Sequence, residues 1–323
     1  MSVDGYNGSD RNLKIPDEID GYEVRYIGRA SGWNYTFYTD DFDSITISDS
    51  VIGAYNVPFF TDCHNLKYIY FGKKYGTYSQ YGADINVFQG SYDIQTEEYR
   101  VSPDNPVITA VDGVLYSKDK TVLKIYPILK KDTAFTVPDG VKSIEETAMA
   151  KLQYLENIIF SDGVEEIGLY CCDGASVRSA TLPKGLTKLN AGVFYQSKLE
   201  SIVLPEGLTS IGGCTFTDTP LEKIVIPDSV VSLGVKVFMN CDKLKSIEIG
   251  SGLASIGGNC FYGLTSLETF EISLENQNLK SEDGMLLTRD GSKSVGMRPA
   301  MVLRRLYITS LVKCGYSGFS LMS

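Results

Sequence analysis

The fold is decided by residues 186–273, which read LTKLNAGVFYQSKLESIVLPEG (186–207), LTSIGGCTFTDTPLEKIVIPDS (208–229), VVSLGVKVFMNCDKLKSIEIGSG (230–252) and LASIGGNCFYGLTSLETFEIS (253–273). The period is 22 or 23 residues, the range of repeat arrays in which each unit is one supersecondary element. Every unit opens on an apolar residue (Leu186, Leu208, Val230, Leu253), places another three residues later (Leu189, Ile211, Leu233, Ile256), and puts phenylalanine at the eighth step (Phe194, Phe216, Phe238, Phe261). A leucine then opens L-x-x-I-x-I, whose alternation puts two side chains on one face of a short strand. Pro183, Pro205 or Pro227 stops the ladder just after it.

Working outward, Val164 with Ile167 and Val141 with Ile144 begin two more units. Val51 begins one that ends in Leu66, Ile69 and Phe71, while Val24 and Ile27 mark the first, with its strand at Ile45 and Ile47 after an insertion. Glycine recurs at the fourth step (Gly28, Gly168, Gly212, Gly234, Gly257), where a side chain would obstruct the backbone, and a short helical or 3₁₀ turn is expected after it. No unit can bury its apolar set alone, so neighbours must stack and share one core. The expected fold is a leucine-rich-repeat solenoid, a β-rich right-handed coil with one short strand per repeat.

Two stretches break the rhythm in the same way, NPVITAVDGVLYSKDKTVLKIYP at 105–127 and NQNLKSEDGMLLTRDGSKSV at 276–295. Asp112-Gly113 and Asp283-Gly284 lie between extended runs and predict β-hairpin insertions. The expected organisation is one domain over 1–323: irregular aromatic-rich repeats at 1–104, a hairpin insertion at 105–128, regular repeats at 129–273, a second hairpin insertion and irregular segment at 274–306, and a truncated final repeat at 307–323.

These residues resemble the BspA-like leucine-rich-repeat family, in which units such as LTSIGGCTFTDTPLEKIVIPDSV and the NPxxxxxDGVLYSKDxxxL insert are typical. The resemblance implies a secreted or surface-displayed, adhesin-like bacterial protein that binds host matrix proteins or other cells without catalysis. The family usually carries a further strand and often a signal peptide before an opening such as GYNGSDRNLKIPDEIDGYEVRYIG, so the expectation is a fragment or trimmed piece of a longer protein, or a misplaced start. Open terminal repeats would permit end-to-end self-association.

Composition is that of an ordinary globular protein, neither disordered nor membrane-embedded. With 43% hydrophobic and 22% charged residues the chain can fill a core. Forty acidic against thirty basic residues, a net charge of −10, repel phosphate backbones and anionic lipid, so nucleic acid is not an expected partner. No apolar run is long enough for a membrane span. No cofactor and no metal is expected: no P-loop, GxGxxG or HExxH stands in its required context, and Asp40, Asp41 and Asp43 lack the spacing of a calcium loop.

The only histidine, His64, sits beside Cys63 in TDCHNL and reads as a loop residue. Cys63 and Cys241 both precede the strand leucine by three residues, Cys172 takes the phenylalanine position, Cys260 precedes it, and Cys314 takes the third-step apolar place. Buried free thiols are expected, with Cys172 inside and Cys171 near the turn.

A ligand would be met on the outward sheet face. The residue between the two inward ones gives Thr46, Tyr70, Arg100, Ile159, Thr181, Val203, Val225, Glu248 and Glu271. The neighbouring row is Ser44, Tyr68, Asn157, Ser179, Ser201, Lys223, Ser246 and Thr269. Tyr68 and Tyr70 stand out, because rigid amphipathic rings are enriched in recognition sites. They go with the insertion SGWNYTFYTDDFD, which holds Trp33, Tyr35, Phe37 and Tyr38, and 15 of the 21 tyrosines precede residue 127. The ligand-binding candidates are Trp33, Tyr35, Phe37, Tyr38, Tyr68, Tyr70 and Arg100. Protein ligands are expected first and cell-surface glycans second; a structural spacer of a larger surface protein is the non-binding alternative, and aromatic packing at an irregular end is the structural one.

Overall fold

The computed structural model describes residues 2–3, 9–27, 37–38, 42–54, 60–61, 63–77 and 94–297. The chain forms two compact units, 1–178 and 179–323, each made of coils stacked as the repeat requires. In the first unit the strands Asn12–Ile15, Ser44–Ile47, Cys63–Phe71 and Ile94–Val101 form one sheet in that spatial order. All its pairings are parallel. In the second, Lys223–Ile226, Ser246–Ile249 and Thr269–Ile272 pair in parallel, as do Ser179–Thr181 and Ser201–Val203. Parallel pairing is what successive coils of one hand must produce, because each strand re-enters the sheet in the same direction.

Inward residues alternate as the I-x-I spacing demands. Ile224 and Ile226 are buried against Ile247 and Ile249. The eighth-step phenylalanines form a column: Phe194, Phe216, Phe238 and Phe261 stack at 6.0, 5.5 and 6.1 Å between ring centroids, with planes 3°, 11° and 7° apart. Offset stacking of this kind adds to the burial of each ring. The first unit fills the same position with smaller buried side chains, Met149 and Cys172.

The turns differ from expectation. Among the described residues there is no helix and no 3₁₀ turn. Each coil instead interrupts right-handed backbone with residues at positive φ, such as Cys214, Asp218, Lys236 and Asn240. Alternate N–H groups are thereby aimed along the coil axis. Gly192, Phe194 and Gln196 donate to the carbonyls of Gly213, Thr215 and Thr217. Cys214, Phe216 and Asp218 donate to Val235, Val237 and Met239, and Lys236, Phe238 and Asn240 donate to Gly258, Cys260 and Tyr262, all at 2.8–3.0 Å. The first unit repeats the pattern with Thr147, Met149 and Lys151 donating to Leu169, Cys171 and Asp173. A helix would spend these groups within the coil; here they join one coil to the next.

The fourth-step glycine exists for this approach. A Cβ on Gly234 would lie 2.3 Å from the backbone nitrogen of Gly213, and one on Gly257 would lie 2.4 Å from the backbone of Gly234. Neither has a positive φ, so space, not backbone conformation, selects glycine.

Both insertions turn at Asp-Gly with positive φ at both residues, 48° and 77° at Asp112-Gly113 and 50° and 74° at Asp283-Gly284, the requirement of a type I′ hairpin. Each is one strand larger than a hairpin. Val122–Ile125 adds to Ile108–Val111 and Val114–Ser117, and Ser294–Met297 adds to Leu279–Glu282 and Met285–Thr288. A buried asparagine seven residues before each turn aspartate anchors the insertion. Asn105 Nδ2 donates to the carbonyls of Gly72 (2.8 Å) and Tyr75 (2.9 Å), while its Oδ1 accepts from the N–H groups of Val107 (2.9 Å) and Ile108 (3.0 Å). Asn276 repeats this with Gly250, Leu253, Asn278 and Leu279. Seven residues beyond each turn aspartate, Asp119 and Asp290 close the second turn. Asp290 Oδ1 accepts from Thr288 Oγ1 and from the backbone and hydroxyl of Ser292 at 2.6–2.9 Å. These bonds hold its carboxyl down at about 2, led by the Thr288 hydroxyl.

One strand lies earlier than expected. Asn12–Ile15 buries Leu13 and Ile15 and pairs with Ser44–Ile47, so NLKIP is itself a strand followed by its stopping proline. His64 is likewise in the strand Cys63–Phe71 and not in a loop. A register shift between Cys63 and Leu66 lets that strand start early, with Cys63 opposite Ile94.

Two outcomes follow. Asn276→Ala removes a buried partner from two carbonyls and two N–H groups, and a loss of about 3 kcal/mol or more is expected in urea unfolding; a loss below about 1 kcal/mol would show that the insertion does not depend on its asparagine. Because the Asp290 carboxyl is lowered from 3.8 to about 2 when folded, its contribution is present above the unfolded value and lost as pH falls through about 2. Protection of the Ser292 amide, its exchange measured against the intrinsic rate at each pH, should therefore fall between these pH values, and Asp290→Asn should remove that dependence.

Candidate functional site

The parallel register of the first unit assembles a solvent-facing surface from four strands. Lys14, Thr46, Tyr70 and Arg100 share one rung. Asn12, Ser44, Tyr68 and Glu98 share the rung two residues before it. One residue further back Arg11, Asp43, Lys67 and Glu97 alternate in sign, and the Arg11 guanidinium clasps Asp43 through two bonds at 3.0 and 3.2 Å. That clasp is the first cause holding the Asp43 carboxyl below its usual range.

Tyr68, Tyr70 and Arg100 are therefore brought together. The Arg100 guanidinium lies 3.9 Å from the centre of the Tyr68 ring, a cation–π contact, and its Nε donates to Glu98 at 2.6 Å. Tyr68 and Tyr70 are half-buried and Arg100 is exposed. Ser44, expected on the outward face, is buried, with its hydroxyl donating to Asn12 at 2.9 Å; the Asn12 strand, not anticipated from the sequence, covers it.

The far edge of this sheet is closed by the first insertion. Tyr99 N–H donates to the Gly113 carbonyl at 2.8 Å, and a Cβ on Gly113 would meet that of Glu98 at 2.7 Å. The hairpin tip thus occupies the edge where another strand could have added. Phe37 and Tyr38 form a short strand parallel to Phe60–Thr61. Their side chains, and Trp33 and Tyr35 altogether, lie outside the described residues, as do Asp40, Asp41 and Cys314.

The second unit presents a different face. The outward row is Thr181, Val203, Val225, Glu248 and Glu271. Val203 is 83% exposed and Val225 48%. Lys223 bonds Glu248 and also feels Glu271, which together raise its affinity for the proton, the hydrogen bond to Glu248 first. The row passes from apolar to acidic.

Nothing in the described residues groups three His, Cys, Asp or Glu side chains as a metal site, and they contain no helix long and apolar enough to cross a membrane. Cys63, Cys171, Cys172, Cys241 and Cys260 are buried. Cys171, expected near the turn, is fully buried with its sulfur 3.9 Å from that of Cys172. Its carbonyl takes the N–H of Met149, which draws this residue into the stack of coils. The thiols are poor nucleophiles: desolvation pushes Cys241 up to about 11 and Cys260 up to about 12. The Cys172 thiol is also raised, by its contact with Cys171 and then by burial.

Comparison with known proteins places these features. Residues 130–242 and 214–283 match a family described as a BspA type leucine rich repeat region, in six copies. A leucine-rich repeat protein of Bacteroides ovatus is similar at 22% identity over 81% of this chain and 63% of its own, with a TM-score of 0.53; this chain spans less than two thirds of that protein. A leucine rich cell surface protein of Faecalibacterium prausnitzii is similar at 18% identity over 84% of this chain and 90% of its own (TM-score 0.43). The pneumococcal vaccine antigen PcpA is similar at 20% over 85% and 82% (TM-score 0.44). No curated protein matches by sequence.

If the cysteines only fill core positions, a maleimide should label the native protein slowly at Cys63, Cys171, Cys172, Cys241 and Cys260, and quickly after denaturation. Rapid native labelling of Cys172 at neutral pH, read by peptide mass mapping, would contradict its burial.

Proposed function

The chain is a BspA-type leucine-rich-repeat protein through residues 130–283, and from that premise we propose that it is a non-catalytic binding module at the cell surface or outside the cell, presenting its outward sheet faces to protein ligands such as host matrix or cell-surface proteins. The observation that carries the protein reading is the exposed aliphatic pair Val203 and Val225. Aliphatic side chains on a solvent face gain little until another surface covers them. With Lys223, Glu248 and Glu271 beside them they have the apolar centre and charged rim of a recognition patch.

Carbohydrate recognition is the second reading, favoured by Tyr68, Tyr70 and Arg100 in the first unit. Ring faces and a guanidinium beside hydroxyl-bearing residues suit a sugar better than an aliphatic surface. Trp33, Tyr35, Phe37 and Tyr38 remain proposed ligand contacts on sequence grounds alone.

The fold supports this role by what it leaves free. Backbone groups are consumed between coils, so the outward side chains carry no folding duty beyond strand propensity.

Labelled protein applied to an array of matrix proteins and glycans should bind at least one protein. Val203→Thr/Val225→Thr, which keeps the β-branched shape a strand favours, should weaken that binding about tenfold or more, about 1.4 kcal/mol, with urea unfolding shifted by less than about 1 kcal/mol. Absence of binding to every protein tested would favour the structural-spacer reading.

A further inference from the structure

The rung Lys14, Thr46, Tyr70, Arg100 carries two cations and no carboxylate, unlike the outward rung before it. The rung before it ends in Glu98, and Arg11, Asp43, Lys67 and Glu97 offset one another in sign. Lys14 is exposed and has no ion pair among the described residues. Among the described residues Arg100 stacks on Tyr68 and pairs with one carboxylate, Glu98, which engages its Nε and one Nη and leaves the other guanidinium N–H groups for a further acceptor. Adjacent strands lie about 4.8 Å apart, so the two cations are separated by three strand spacings, roughly 14 Å, with the Tyr70 ring between them. In a chain of net charge −10, a carboxylate-free row of this kind is a local exception to the overall repulsion of anions.

We propose that this rung binds an anionic polysaccharide, with the Tyr70 ring against a sugar face and Lys14 and Arg100 taking carboxylate or sulfate groups on either side. The outward side chains here are Asn12, Thr46, Tyr68 and Tyr70 besides the charged ones. No outward aliphatic side chain offers a protein partner a surface to desolvate, in contrast to Val203. The Thr46 hydroxyl and the Asn12 amide instead supply the uncharged hydrogen bonds that sugar hydroxyls need. Arg100 is held ready for an anion, because Tyr68 supports the guanidinium from one side and Glu98 fixes its Nε, so that its remaining fork is pre-organised for an oxyanion. The inference rests on the carbohydrate reading of this surface, which neutral dextran tests separately, and is independent of the protein-binding reading, which rests on residues of the other unit.

The test is affinity electrophoresis of the full chain in gels containing polygalacturonate (carboxylate only), dextran sulfate (sulfate only) or neutral dextran. Retardation is expected with one or both polyanions and not with dextran; which polyanion acts identifies the anionic group. Tyr70→Ala should weaken binding about tenfold or more, Tyr70→Phe should retain it, and Lys14→Gln should weaken it several-fold. Val203→Thr/Val225→Thr should leave retardation unchanged, so the two readings fail separately. No retardation by either polyanion, or retardation that survives Tyr70→Ala or Lys14→Gln, overturns the proposal.

Discussion

The hydrogen bonds that run between coils through the turns are the constraint from which the rest of the structure follows. Three N–H groups in each of the coils beginning at Leu186, Leu208 and Val230 donate to alternate carbonyls of the next coil. These bonds fix the repeat length, because a residue gained or lost between strand and turn would misplace three donors together. They also fix the glycine: backbones close enough to bond across the turn leave no room for a Cβ at Gly234 or Gly257. The phenylalanine column then fills the space that the turn encloses, and deleting one ring would leave a void costing about 3–5 kcal/mol.

That constraint explains what could be read from residues and what could not. The inward I-x-I pairs, the outward rows and the phenylalanine column depend on spacing along one repeat, and their positions at Ile224, Val225, Ile226 and Phe216 could be read directly. The turn conformation depends on where the N–H groups go, which is a matter of the neighbouring coil. A helical turn would satisfy the same local pattern, so apolar spacing could not exclude it. The third strand of each insertion escaped for a similar reason. VLKI at 122–125 owes its place to its antiparallel neighbour and to its parallel pairing with Ser143–Ile144. The asparagine anchors did leave a signal, since Asn105 and Asn276 stand at the same offset from their Asp-Gly turns. A polar residue repeated at fixed distance from a turn is worth reading as a buried cap.

Candidate site residues were legible to the extent that they lie on strands. The parity of Tyr68, Tyr70 and Arg100 follows from the pleat, but their adjacency required the register, which pairs Tyr70 with Arg100 and Tyr68 with Glu98. Lys14 was missed because its strand was missed; once NLKIP is seen as a repeat strand, Lys14 falls between inward Leu13 and Ile15 and must face outward. Cys171 shows the converse limit. Adjacent side chains were expected to part, yet the turn is not a strand, and both sulfurs enter the interior.

The two units satisfy the same folding rule with different outward chemistry, and this bears on why such a fold serves recognition. Inward positions accept only what packs in a column, whereas outward positions need only tolerate extended backbone. Valine, glutamate, tyrosine and lysine all meet that condition, so ligand chemistry can vary along the array without touching the core. Where an outward side chain also serves its neighbours it is held in place, as Arg100 is by Tyr68 and Glu98 and as Lys223 is by Glu248. Held charges lose less entropy on meeting a ligand than free ones. A charged group positioned by its neighbours without being wholly neutralised by them is thus better prepared for a ligand than a free one, and Arg100, supported by Tyr68 and Glu98, meets that condition.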